Sequence, residues 1–144
     1  MNTAYARRLL WHGVLLFLLG LIVGFVVPAL HNPRMGLASH LEGVMNGTFL
    51  LALGLAWRHL SLSARSQTAL FWLALYGTYV NWGTTLLAAA FGTSRNTPLA
   101  GAGYSGAAWQ EALVDFGLVS LSLAMVSTCL LALWGLRGRE HPPR

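Results

Sequence analysis

The chain has 144 residues, is 56% hydrophobic, and carries charge on only 9% of its residues. A soluble domain usually has about a quarter of its residues charged, so a water-facing fold is excluded and the class is integral membrane protein in a lipid bilayer. All nine basic residues are Arg and four residues are acidic, giving a formal net charge of +5. These arginines sit between apolar runs and are not interleaved with aromatics on a polar face. They therefore point to membrane orientation, not to nucleic acid.

The polar start contains Arg7 and Arg8, and Leu9 to Pro33 then runs without a charged residue. That run is longer than the roughly 7–15 apolar residues of a secretory signal and predicts a first spanning helix over about 9–30. Gly13, Gly20 and Gly24 suit close helix contact. His12 is expected at the interface. Residues 31–38 read as a loop, because Asn32-Pro33 and Gly36 are turn chemistry. Ser39 with Glu42 three residues later has capping-box spacing.

The second helix is expected over about 40–60. Its uncharged stretch from Gly43 to Trp57 is only about 22 Å long as a helix, short of a bilayer core of about 30 Å. His40 and Glu42 are thus drawn to the membrane interface. Asn46 lies about 9 Å deeper and some 120° around the helix from His40, so the two can flank one pocket. A third helix over about 68–91 has a polar, aromatic centre that includes Tyr79, Asn81 and Trp82. Residues 92–108 form a loop rich in Gly, Ser and Thr that is expected to fold over the outer face. A fourth helix over about 109–136 opens with Glu111 and Asp115 on one face. Cys129 reads as a buried small apolar residue, and one cysteine allows neither an intrachain disulfide nor a cysteine zinc site. The tail from Arg137 to Arg144 reads as polar and frayed.

Four spans place Arg7, Arg8, Arg58, Arg65, Arg137, Arg139 and Arg144 on one side and Arg34 and Arg95 on the other. The arginine-rich side is cytoplasmic, so both termini are predicted there. The fold class is an all-α, four-transmembrane-helix bundle in one domain over 1–144, in the cytoplasmic (inner) membrane. His40, Glu42, Glu111 and Asp115 then fall in one outer layer, with Asn46 and Asn81 deeper. Ionisable groups within a membrane mark a site by default. Each also has a plainer explanation: a cap for Glu42, helix adhesion for the asparagines, and an interfacial carboxylate at a helix start for Glu111. A lone imidazole among apolar helices suits an axial haem ligand, because the porphyrin supplies four further donors.

His40-x-x-Gly43-x-x-Asn46-Gly47, the Tyr79-x-Asn81-Trp82 element and the Gly-rich third loop resemble the hydroxylaminobenzene mutases. The likeness extends over Asn32 to Leu37, His40 to Phe49, Tyr76 to Leu87 and Trp109-Gln110-Glu111, most of the chain. More distantly it is similar to the styrene oxide isomerases, four-helix homotrimers that use haem b. Their histidine ligand and an Asn six residues later resemble His40 and Asn46, and their helix-3 Asn resembles Asn81. They place a catalytic Tyr where this chain has Thr85, which argues against epoxide isomerisation.

The resemblance implies haem b with His40 as axial ligand and a homotrimer with haem near subunit interfaces. It also implies conversion of an aryl hydroxylamine to an ortho-aminophenol, with ferric haem as Lewis acid on the N–O oxygen. On that basis Asn46 and Asn81 orient substrate, Asp115 and then Glu111 are candidate bases, and Tyr79 and Trp82 supply aromatic wall at the cofactor. The alternatives are an epoxide-to-aldehyde isomerase and a non-enzymatic small membrane protein such as a transporter subunit or assembly factor.

Overall fold

The computed structural model describes residues 3–138. Every regular element among them is helical: α1 (Thr3–Val26), α2 (Pro33–Ala56), α3 (Ala64–Phe91) and α4 (Ala108–Leu136), with short 3-10 turns at Val27–Ala29 and Trp57–His59. Alternation brings the two ends of the described chain to one end of the fold and the 92–107 segment to the other. The expected polar tail from Arg139 onward lies outside the described residues.

Of residues 31–38, only His31 and Asn32 lie outside regular structure; the rest open α2. Asn32 has extended backbone, and its side-chain oxygen accepts from the N–H groups of Arg34 (3.0 Å) and Met35 (3.3 Å), with Pro33 at the first helical position. Asn-Pro is therefore a cap followed by a pre-set helical residue, not a turn. Consequently α2 has 24 residues, about 36 Å, and is not short for a bilayer. Ser39 lies inside it, buried, donating to the Trp82 carbonyl at 3.2 Å. The capping box expected at Ser39 and Glu42 does not form. His12 is likewise not at a helix edge: α1 starts at Thr3, and His12 is half-buried about two and a half turns in.

Small residues set the packing. A Cβ on Gly20 would lie 2.7 Å from the Val44 nitrogen, and one on Gly47 would lie 2.6 Å from the Phe17 nitrogen. α1 and α2 thus meet backbone to backbone through Gly13, Gly20, Gly43 and Gly47, as membrane helices do when small residues let them close. α3 packs on α2 and α4 packs on α3, but α4 has at most marginal contact with α1 and α2. The helices form an open row, not a closed four-helix bundle. At the α3–α4 contact, Gly77 faces Met125 and Gly117 faces Thr84. α3 ends at Gly92, whose φ of 69° is the left-handed cap conformation that glycine adopts without strain.

Leu9, Leu16, Leu50, Trp57, Leu70 and Phe71 build a core near the chain ends, and Met35, Ala88, Ala89 and Val114 build a smaller one at the other end. The outer surface is apolar: Phe25 is 86% exposed, Phe116 70% and Trp134 68%. Cys129, expected to be buried, is exposed on the same surface. Ala4–Ala29 and Ala108–Leu136 are long and apolar enough to cross a membrane. α2 and α3 carry the polar layer instead, which dilutes their apolar character.

Candidate active site

His40 projects from α2 toward α1. Its Nδ1 lies 2.8 Å from the Gly20 carbonyl oxygen. A carbonyl only accepts, so Nδ1 carries the hydrogen and Nε2 keeps its lone pair. The ring fits because position 24 has no side chain: a Cβ there would stand 2.8 Å from Nδ1. His40 is the sole polar side chain lining a groove of about 590 Å³, whose walls include Leu18, Leu21, Ile22, Phe25 and Leu37. A neutral imidazole with one nitrogen fixed by a carbonyl, set in apolar walls, is the donor arrangement of an axial haem ligand. No group of three or more His, Cys, Asp or Glu side chains that could hold a bare metal ion exists among the described residues. The residues at this groove therefore fit a metal that brings its own equatorial donors.

A second polar centre lies on the other side of α2. Glu42 Oε2 accepts from Asn46 Nδ2 at 3.1 Å and from Asn81 Nδ2 at 2.6 Å. Glu42 and Asn46 share a face because they are four residues apart, and Asn81 reaches them from α3. On α3, Asn81 sits between the face that carries Gly77 and Thr84 against α4 and the face that carries Trp82 against Gly43 of α2. The network thus lies between α2 and α3, on the edge of α3 next to its α4-facing side. His40 and Glu42 are about 200° apart around the helix. The expectation that His40 and Asn46 flank one pocket does not hold within one chain.

Glu111 is 6% exposed, and its two oxygens accept from the backbone N–H groups of Ser94 (3.1 Å), Arg95 (3.0 Å) and Gly106 (3.0 Å). It ties the third loop to α4, so its carboxylate is already occupied. Asp115 forms an ion pair with Arg95 through Oδ2 at 3.0 Å, while its Oδ1 is buried without a partner. The loop is further fastened by Asn32 Nδ2 donating to the Ala100 carbonyl at 2.9 Å and by Arg34 donating to the Ala102 carbonyl. It covers that end of the helices, as its composition suggested.

Tyr79 and Trp82, three residues apart on α3, both pack against the core shared with α1 and α2. The Tyr79 hydroxyl pairs with His12 Nδ1 at 3.0 Å, and Trp82 packs on Gly43 with its Nε1 buried and unpaired. These contacts brace α3 against α1 and α2. Thr85, at the position where a catalytic Tyr would stand, donates to its own helix at Asn81 and Trp82, both at 2.9 Å. Glu42, which the sequence placed in the outer ionisable layer with a helix cap as its plainer explanation, is the centre of the network with Asn46 and Asn81. Its signal was present: an acid four residues from an Asn within one helix.

The family model for styrene oxide isomerase matches residues 5–137. Hydroxylaminobenzene mutase HabB of Ectopseudomonas oleovorans is 58% identical over 133 residues, spanning 92% of this chain and 81% of that protein. Hydroxylaminobenzene mutase HabA of the same organism is 43% identical over 125 residues, spanning 86% and 93%. No solved structure matches the chain.

Proposed function

We propose that this chain, which belongs to the styrene oxide isomerase family and is an isomerase like the two mutases it matches, rearranges aryl hydroxylamines to ortho-aminophenols. The extent of its likeness to those mutases carries the reading. The family name alone would favour epoxide-to-aldehyde isomerisation. Against that stands Thr85, whose hydroxyl is committed to helix carbonyls and is not available as a proton donor.

His40 Nε2 and the apolar groove around it would hold haem b, which when bound supplies a Lewis-acidic ferric iron for the hydroxylamine oxygen. The chain's own residues do the rest. Asn46 and Asn81, fixed by Glu42, orient the substrate's polar group. The hydroxyl leaves nitrogen with the N–O electron pair and bonds to the ortho carbon. The ortho C–H pair then restores the aromatic ring, and its proton passes to a base and finally to nitrogen, so no oxidant or reductant is consumed. Asp115, with its unpaired Oδ1, is the base in this scheme. The third loop and the apolar helix faces keep water from the cationic ring.

The His40 groove and the Glu42 network lie on opposite sides of α2, so one substrate can use both only if two copies contribute. The groove of one copy against the Glu42 side of the next is a heterologous contact, which gives a ring when its rotation closes. A homotrimer with haem near the subunit interfaces satisfies it. Arg7, Arg8, Arg58, Arg65 and Arg137 at one end against Arg34 and Arg95 at the other support a reading of four spans with both termini cytoplasmic in the inner membrane.

The test is to incubate detergent-purified protein with hydroxylaminobenzene carrying oxygen-18 in the hydroxyl group. Labelled 2-aminophenol is the expected product. Absence of aminophenol, or conversion of styrene oxide to the aldehyde instead, would refute the reading. An absorption spectrum beside His40→Ala tests the cofactor: a Soret band lost in the variant is expected, and a band retained in the variant removes His40 as ligand.

A further inference from the structure

Glu42 takes part in no step of that scheme, yet it organises both asparagines. Its Oε2 receives both carboxamide nitrogens, at 3.1 Å and 2.6 Å. In both bonds the carboxyl oxygen is the acceptor and the amide NH2 is turned toward Glu42. Each amide's other arm is a carbonyl oxygen, and among the described residues neither Asn46 Oδ1 nor Asn81 Oδ1 has a hydrogen-bond partner.

We infer that Glu42 is a positioning residue that sets the hydrogen-bond polarity of the site. It makes Asn46 and Asn81 present two acceptors, and so selects a ligand whose polar group donates. This rests on the reading that the substrate is an aryl hydroxylamine, whose NHOH group has an N–H and an O–H to give. An epoxide has neither. With an apolar side chain at position 42, either amide is free to flip and offer NH2, the group an epoxide oxygen would need. The discrimination is therefore set in α2 and α3 by a residue that need not touch the substrate. Sites built around hydrogen-bonding groups discriminate strongly, because the wrong ligand leaves those groups unpaired.

Binding of aniline and of its N–H-free isostere toluene is measured by isothermal titration against a detergent blank, for wild type, Glu42→Gln and Glu42→Met. The Gln side chain can still accept both amides through one oxygen, whereas Met cannot accept either. Wild type and Glu42→Gln are expected to prefer aniline, and Glu42→Met to lose about tenfold of that preference. Retention of the wild-type ratio in Glu42→Met overturns the inference, and so does its loss in Glu42→Gln.

If circular dichroism shows that Glu42→Met has not folded, Asn81→Leu carries the test, since it removes one acceptor and leaves Glu42 in place. A fall in its ratio of about threefold or more supports the inference, and an unchanged ratio overturns it. Wild-type turnover of hydroxylaminobenzene is followed in parallel. No turnover with the expected ratios refutes the proposed reaction and leaves the polarity assignment standing. Turnover with a ratio unmoved in Glu42→Met overturns the assignment alone.

Discussion

His40 and Glu42 stand two residues apart on α2 and face opposite neighbours: the imidazole is held by Gly20 of α1 at 2.8 Å, the carboxylate by Asn81 of α3 at 2.6 Å. One helix therefore carries two polar centres that its own chain keeps separate. The first is a free nitrogen over an apolar groove, suited to a flat cofactor. The second is a hydrogen-bond network between α2 and α3, suited to orienting a small polar group.

The His40 ring depends on the missing side chain at position 24, where a Cβ would stand 2.8 Å from Nδ1. Gly24→Val is expected to displace the ring from the Gly20 carbonyl and lower haem content about tenfold, the usual scale for losing such a supporting bond. The ratio of Soret to protein absorbance reads this directly, with helical content checked by circular dichroism.

Gly43 and Gly83 make a matched pair. A Cβ on Gly43 would press on the Gly20 backbone, whereas one on Gly83 meets nothing within 4 Å. Gly43→Ala should destabilise by about 1–3 kcal/mol through overpacking. Gly83→Ala should stabilise by about 0.5–1 kcal/mol through helix propensity alone. Thermal melts of the two variants in detergent should move in opposite directions.

Glu111 anchors the loop, and the expectation is that its loss is felt there first. It accepts from three backbone N–H groups, and the single oxygen of a Gln cannot satisfy all of them. Glu111→Gln is expected to lower stability by about 1–3 kcal/mol and to speed proteolysis within residues 93–107. Its kcat below the melting range should stay within about threefold of wild type, because the rate effect of general-base loss, about 10²–10⁴-fold, is not involved.

Asp115 carries the opposite expectation. Its Oδ1 is unpaired while Arg95 holds Oδ2, so Asp115→Asn preserves shape and removes the proton acceptor. A fall in kcat of about 100-fold with little change in KM is expected. Ring-deuterated hydroxylaminobenzene should show a larger isotope effect in the variant than in wild type. A kcat equal to wild type would take Asp115 out of the mechanism.

Much of the fold was legible in the sequence because long apolar helices announce themselves by composition. All four helices are found, and the glycines of α1 make the close contacts their placement suggested. The boundaries at α2 were misjudged because Asn-Pro serves both turns and helix starts, and only the backbone of Asn32 separates the two. The site was partly legible. Asn46 and Asn81 do converge, but through Glu42, whose three-residue spacing from Ser39 imitated a cap. The orientation of His40 away from Asn46 was computable as an angle, yet which neighbour each face meets depends on the order of the helices. The arrangement of α4 beside α3 alone was beyond reach, since nothing in a sequence of four apolar helices distinguishes a row from a ring.

The contact between α1 and α2 is made by absences. Gly13, Gly20, Gly43 and Gly47 give each other room and offer no side chain that could be shortened. Alanine scanning, which usually works by subtraction, becomes there a method of addition. Positions that look inert on a truncation map are the ones where a single methyl group decides whether the hairpin closes. In random libraries this interface is expected to tolerate almost no substitution, and depletion across a whole mutational spectrum would outline the α1–α2 seam residue by residue.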